Sequence, residues 1–205
     1  MTDAVTLINR RRALTLLGLG TLAAGLSACA STAPNALYGI EAPAAASAAE
    51  GARKPVQVLV AAPKALQALD SSNIAVVQQG PVYSYLPQVA WADQLGNVVQ
   101  TGLVRTLENT RRLRGVGMPG DGLLIDYQLQ TEIRSFELNV AGSARGVVEI
   151  AARLVNDRNG RTVDSMVFRA EVASGGQSAD QAVRAMNTAA GQVFAELAAW
   201  VISKV

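Results

Sequence analysis

Histidine is absent from this 205-residue chain, and cysteine occurs only once. Histidine is the most frequent general base and metal ligand in proteins, so its absence excludes a Ser-His-Asp triad. Without histidine or a pair of thiols, the usual zinc and copper sites are excluded as well, and so is an intrachain disulfide. The chain also has no Gly-x-Ser-x-Gly motif, which marks the nucleophile elbow of many hydrolases. We therefore expect no catalytic residue, no metal site and no bound cofactor.

Charge is sparse and balanced. Charged residues make up 17 % of the chain, and the formal net charge is +2. Because residues 10–12 are arginines and Asp3 is acidic, the chain after residue 28 has no formal net charge. A nucleic-acid-binding protein normally presents a basic face, so we expect no nucleic-acid partner. Of the three lysines, Lys54 adjoins a proline and Lys204 lies next to the last residue, and neither is expected to be buried as Ser-Lys catalysis requires.

The single cysteine follows a short apolar stretch. The arginines at 10–12 precede apolar residues 13–26, and Leu26-Ser27-Ala28-Cys29 resembles a bacterial lipobox. The apolar stretch is shorter than the roughly 20 residues that span a bilayer and has the form of a secretory signal. We predict cleavage after Ala28, with a diacylglycerol on the Cys29 thiol and an N-acyl chain on its new amino group. A buried helix with an incidental cysteine and an uncleaved anchor helix are the alternatives.

Composition divides the chain into three parts. Residues 1–28 are the predicted lipoprotein signal peptide, and residues 29–54, rich in Ala, Pro and Ser, are a predicted tether because such composition does not build a core. A short strand is possible within the tether at Tyr38-Gly39-Ile40. Residues 55–205 are predicted to be one folded domain, which is a usual domain length.

Hydrophobic periodicity predicts the elements of that domain. In its first half we expect strands at 56–61, 73–78 and 82–86, the last at a sheet edge, with a helical turn from Pro63 to Leu69. Apolar residues at helical spacing predict an amphipathic helix from Trp91 to Asn109. After it come Arg111, Arg112 and Arg114, read as a solvated helix end in preference to an anion site, and then a loop at 118–122.

The second half begins with three long strands. Alternation from Tyr127 changes phase before Phe136, which predicts a bulge near Ser135. Residues 144–155 and 162–172 form the next two strands, joined by a hairpin turn at 156–160. A helix with a continuous apolar stripe, including Phe194 and Trp200, starts at Ser178. These elements predict an α+β fold, a two-layer sandwich in which a largely antiparallel or mixed sheet packs against two long helices.

Several short motifs follow one another in a set order after the lipobox. They are Tyr38-Gly39-Ile40, the Leu69–Val76 stretch with Ser71 and Ile74, Trp91-Ala92-Asp93, the helical Val99, Leu103, Leu107, Glu108 and Asn109, then Asp126-Tyr127-Gln128-Leu129 and Ile133 with Phe136. In this order, over about residues 29–201, the chain resembles the ABC-type transport auxiliary lipoproteins.

The resemblance implies a non-catalytic subunit in the periplasm. Its expected partners are an ABC ATPase and permease and an MCE-domain protein, which together move phospholipid or other hydrophobic molecules between two membranes. Self-association as a homo-oligomer is left open. Ala30, where an aspartate would favour inner-membrane retention, favours the outer membrane. The alternatives are an outer-membrane assembly or envelope-integrity lipoprotein outside any ABC system and, more remotely, a lipid-anchored hydrolase.

Overall fold

The computed structural model describes residues 33–43, 51–80 and 82–205, and residues 34–205 form one compact unit. Cys29 and Ala28 lie outside the described residues. The strands are β1 (Ala36–Tyr38), β2 (Lys54–Val60), β3 (Lys64–Ala65), β4 (Asn73–Val77), β5 (Tyr83–Trp91), β6 (Leu113–Gly117), β7 (Tyr127–Asn139), β8 (Arg145–Asn156) and β9 (Thr162–Ala173). The helices are α1 (Leu95–Asn109), between β5 and β6, and α2 (Ala179–Lys204), after β9.

Strand β7 is the centre of the sheet. One of its edges pairs antiparallel with β8, which pairs antiparallel with β9. Its other edge pairs in parallel with β2, β3 and β4 in turn. Beyond these, β6 lies parallel to β2, β5 lies antiparallel to β4, and β1 lies parallel to β5. The described sheet is therefore mixed, with its longest ladders antiparallel, and the α+β prediction is confirmed.

The β7–β8–β9 meander follows the sequence pattern closely. The β7–β8 register shifts between Ile133 and Ser135, where the change of phase predicted a bulge. In the hairpin turn between β8 and β9, Gly160 has a φ of +68°, a backbone conformation that residues other than glycine seldom adopt. The bulge lets Ile133 and Phe136 both point into the core, where each is at most 1 % exposed.

Both helices cover the same face of the sheet. Helix α2 packs on β7, β8 and β9, and α1 packs on β2, β6 and α2. The side-chain hydroxyl of Ser178 accepts a hydrogen bond from the Gln181 backbone N–H, and so caps the start of α2. Gly146 on β8 allows α2 to approach, because a Cβ there would lie 2.5 Å from the Met186 backbone nitrogen. No helix among the described residues is long and apolar enough to cross a membrane.

The first half of the domain departs from the prediction in four places. Strand β5 runs on to Trp91, so α1 begins only at Leu95. Strand β5 also lies between β1 and β4 and not at an edge. The predicted helical turn at 63–69 contains strand β3, and a turn follows only after Leu66. Strand β6 had no prediction at all.

The folded unit begins inside the predicted tether. Strand β1 pairs with β5, Ile40 is 8 % exposed in the core, and the Glu41 backbone N–H donates to the Asn187 side chain on α2. A composition-based domain start at residue 55 is therefore too late, because alanine and proline content does not reveal strand pairing. Residues 44–50 lie outside the described residues.

The lysines and arginines singled out in the sequence mostly serve the fold. The Lys54 ammonium donates to the carbonyl oxygens of Ile202, at 2.8 Å, and Val205, at 2.5 Å, at the end of α2. Lys204 lies 2.8 Å from the Asp164 carboxylate, and the Trp200 indole N–H donates to the same carboxylate. These contacts, Lys204 foremost, hold the pKa of Asp164 below its usual value. Arg112 donates to the Ala52 carbonyl oxygen, which attaches the start of β2 to the end of α1.

Candidate functional site

The two helices cover one face of the sheet, and the opposite face of the described sheet is open. We call it the outer face. Successive strand residues point to opposite sides, so the residues that alternate with the β7 and β8 core residues are presented there. The register places Gln130, Arg153 and Ser165 side by side across β7, β8 and β9. In the next row, Ala151 lies between Glu132 and Val167.

Ion pairs cover one half of the outer face. Arg169 contacts the carboxylates of Glu149 and Glu171, each at 2.6 Å, and Arg145 contacts Glu171 at 3.4 Å. Glu149 and Glu171 raise the pKa of Arg169, and Arg169 in turn lowers the pKa of Glu171. Arg134 contacts Glu149 and also Glu132. Exposed pairs of this kind stabilise weakly one by one, but as a network they fix the side chains of adjacent strands.

Glu137 is the one acidic residue that the described part of the domain buries, at 5 % exposure. It lies beside Ala75 of β4 and Val147 of β8. Burial raises the pKa of its carboxyl, although the Phe136 backbone N–H donates to it at 2.8 Å. No other acidic side chain or cysteine joins it to form a metal-binding cluster among the described residues.

A groove of about 650 Å³ occupies the other half of the outer face. It lies where the edge of β7 passes from β2, which pairs as far as Leu129, to β3, which pairs from Glu132. Ala61, Ala62 and Ala151 line it, and their small side chains leave the space unfilled. We call this space the sheet groove. Its polar lining is Lys64, Gln130, Thr131, Glu132, Arg153 and Ser165.

A chain of amides holds Arg153 at the sheet groove. The guanidinium donates twice to the Gln130 side-chain oxygen, at 2.8 and 3.2 Å. Gln130 donates to Gln128 at 3.4 Å, and Gln128 donates to Asp157 at 2.7 Å. The acceptor that fixes Arg153 is therefore neutral, and its positive charge is not compensated by a carboxylate within 4 Å in the described residues.

Strand β9 forms the outer edge of this face. It pairs only with β8 in the described sheet, so its other edge is open along 12 residues. Val163, Met166 and Val167 on it are 42, 50 and 45 % exposed. An open edge with exposed apolar residues is a surface on which another chain can pair.

The motifs that carried the family resemblance are structural in this domain. Asp126 accepts hydrogen bonds from the Gln57 backbone N–H and from Arg158, which lower the pKa of Asp126 and join β2 to the hairpin. Asp93 accepts from the Gln94 backbone N–H and the Asn97 side chain at the start of α1. Trp91 packs edge-on against Phe136, with ring centroids 5.5 Å apart. Sequence reasoning found these residues but none of the residues of the sheet groove.

An α+β sandwich with one helix-covered and one open sheet face is suited to contacts with other molecules. The family described as "ABC-type transport auxiliary lipoprotein component" has a model that matches residues 38–198. The chain belongs to this family, as the resemblance predicted.

Solved structures are similar to the domain in fold. Protein XCC0632 from Xanthomonas campestris superposes with a TM-score of 0.73 at 24 % identity, covering 82 % of this chain and 94 % of that one. Protein CT253 from Chlamydia trachomatis gives a TM-score of 0.52 at 12 % identity, covering 74 % of this chain and 98 % of its own.

The uncharacterized protein bll6063 from Bradyrhizobium diazoefficiens is similar in sequence. It is 30 % identical over 112 residues, which are 55 % of this chain and 30 % of that protein. The chain thus matches less than a third of that relative's length.

Proposed function

We propose that this protein is a lipid-anchored periplasmic subunit of an MCE-linked ABC system that moves lipid between the two membranes of the envelope. It acts by docking and positioning partner proteins and not by catalysis. The family match over residues 38–198 carries the proposal, because that family consists of auxiliary lipoproteins of ABC-type transport and belongs to the cell envelope. The lipid cargo, the MCE partner and attachment to the outer membrane are the parts that go beyond the family.

The position of the folded unit supports a positioning role. Only residues 30–35 separate Cys29 from β1, and a chain of that length reaches at most about 25 Å. With Cys29 lipidated, the domain would be held close to the membrane surface. Its outer face and its β9 edge are the open surfaces that partners could contact.

Purification of the tagged full-length protein from envelope membranes tests the partners. We expect an MCE-domain protein and an ABC permease and ATPase to co-purify, and to be lost when the permease gene is deleted. The matched control is a tagged lipoprotein of another family, expressed at the same level in the same membrane. Recovery of outer-membrane assembly proteins without any ABC subunit would contradict the proposal and favour an assembly role.

Linker length tests the positioning role separately. A flexible insert of about 20 Gly and Ser residues between Ala33 and Pro34 would lengthen the connection to the anchor several-fold. We expect about tenfold less partner to co-purify, because effective concentration falls roughly as the −3/2 power of linker length. The insert leaves Cys29 in place, so mass spectrometry should find the same lipidation.

The same insert after Ser47 is the control. Ser47 lies between Pro43 and Ala52, and both of these residues are attached near the end of α1. Asn109 donates to the Pro43 carbonyl oxygen, and Arg112 donates to the Ala52 carbonyl oxygen. Lengthening a closed loop costs little and leaves the anchor distance unchanged, so we expect wild-type co-purification. Equal losses from both inserts would contradict the positioning role.

A further inference from the structure

We propose that the sheet groove binds the phosphate headgroup of an anionic glycerophospholipid, with Arg153 and Lys64 as its cationic contacts. This inference deepens the proposed function and rests on it for the choice of a lipid. It assigns to this domain a direct contact with lipid, in addition to the docking of proteins.

The first support is the contrast among the arginines of the outer face. Arg134, Arg145 and Arg169 each contact at least one carboxylate within 4 Å. Arg153, in the same sheet layer, is held by the neutral Gln130 side chain. A guanidinium that is fixed in place without a counter-charge is prepared for an external anion, and guanidinium groups bind phosphate through paired hydrogen bonds.

Lys64 supplies the second positive charge. It lies on β3 beside Glu132 in the parallel register, on the wall of the groove opposite Arg153's strand. Glu132 is the one acidic residue of the groove lining, and its carboxylate contacts Arg134 at 3.5 Å. The groove therefore has a net positive charge, although the chain after residue 28 has none.

The shape of the groove indicates a ligand with both polar and apolar parts. Its alanines leave about 650 Å³ open, within the range of small-molecule sites. Two exposed apolar side chains neighbour its lining residues: Val167, which pairs with Ala151 in register, is 45 % exposed, and Leu66, two residues after Lys64, is 64 % exposed. Free phosphate would use the cations alone, whereas a glycerophospholipid would also contact these apolar side chains.

Titration of residues 34–205 with a short-chain phosphatidylglycerol, kept below its micelle concentration, tests the proposal by calorimetry. The fragment contains every described strand and helix. Circular dichroism first checks that it is folded. We expect saturable binding that Arg153→Gln weakens by at least about tenfold, the usual effect of losing one charged hydrogen bond. Arg145→Gln removes an equal charge from the ion-paired half of the same face, and we expect it to bind as the wild type does.

Two further ligands and one variant separate the sources of binding. Inorganic phosphate should bind more weakly than the lipid, and a short-chain diacylglycerol without phosphate should not bind. Ala151→Leu, which fills the groove without changing charge, should abolish lipid binding while the melting temperature is retained. Equal binding of phosphate and lipid, binding of the phosphate-free diacylglycerol, or equal affinity of Arg153→Gln and Arg145→Gln would each overturn the proposal. Co-purification of partner proteins with the Arg153→Gln variant is measured in parallel, because a loss of lipid binding at the sheet groove would leave the docking role intact.

Discussion

Phe194→Ala is expected to destabilise the domain by about 3–5 kcal/mol, which is the usual cost of removing a buried phenylalanine side chain. Phe194 is fully buried on α2. Its ring lies against α1 at Gly102, where a Cβ would lie only 2.5 Å from the ring atom Cε2. The truncation therefore removes packing between the two helices and leaves a cavity, which adds to the cost of the lost burial.

The measurement is thermal unfolding of residues 34–205. For a domain of this length the loss corresponds to a decrease in melting temperature of roughly 6–20 °C. Glu196→Ala is the matched control, because Glu196 is exposed on the same helix and surface substitutions usually change stability by less than about 0.5 kcal/mol. A melting temperature unchanged by Phe194→Ala, with partner binding lost, would mean that this stripe of α2 is an interface and not core.

A second variant examines the same contact from the other helix. Gly102→Ala should also destabilise, because the added methyl group meets the Phe194 ring. Combining Gly102→Ala with Phe194→Leu should cost less than the two single changes added together, since the smaller side chain gives room to the methyl group. Simple additivity would show that the two residues do not contact each other.

The sequence predicts most strongly those elements whose own residues decide their burial. Helix α2 has thirteen buried residues, and its stripe and its Ser178 cap are both local patterns. Strands β7 and β8 alternate over 13 and 12 residues, and the change of phase at Ser135 is visible because the pattern is long. Hydrophobic periodicity alone cannot decide whether Trp91 belongs to a strand or to a helix. Trp91 is buried at the end of β5, although its spacing would equally fit the apolar stripe of α1.

Strand β6 could not be predicted because its reasons lie elsewhere in the chain. Its sequence, Leu-Arg-Gly-Val-Gly, has no alternation and two glycines. It forms a strand because its backbone pairs in parallel with the edge of β2. At Gly115 a Cβ would lie 2.9 Å from the Gln57 side chain. The glycine is therefore required by a contact with a residue on another strand.

The sheet groove was hidden for the same reason. Its residues come from the segment just after β2, from β3 and from the three strands of the meander, and only the register brings Gln130 beside Arg153. The contrast between Arg153 and the ion-paired arginines depends on cross-strand contacts, which no sequence motif records. Cys29 is the opposite case: its prediction rests on contiguous residues and lies outside the described structure.

Cys29→Ser is expected to have the largest effect on function. The thiol is the nucleophile that would accept the diacylglycerol, and a serine hydroxyl is a far weaker nucleophile at neutral pH. We expect the variant to remain an unacylated precursor that retains residues 1–28. Mass spectrometry of the intact protein measures this directly, with Ser31→Ala, which changes a serine just beyond the lipobox, as the control. A native protein with a free Cys29 thiol, or with residues 1–28 still attached, would contradict the prediction.

The functional consequence follows from confinement. Buried acyl chains contribute about 0.8 kcal/mol per CH₂ group, so three chains hold a protein in the membrane almost permanently. An anchored domain meets a membrane-held partner at a high effective concentration, which allows a weak docking surface to suffice. We therefore expect residues 34–205, exported to the periplasm without a lipid, to fold and yet fail to restore envelope function in a deletion strain at native expression. Strong overexpression should restore part of it by mass action. Full complementation by the soluble domain at native expression would show that the domain needs no anchor, and would refute the positioning mechanism.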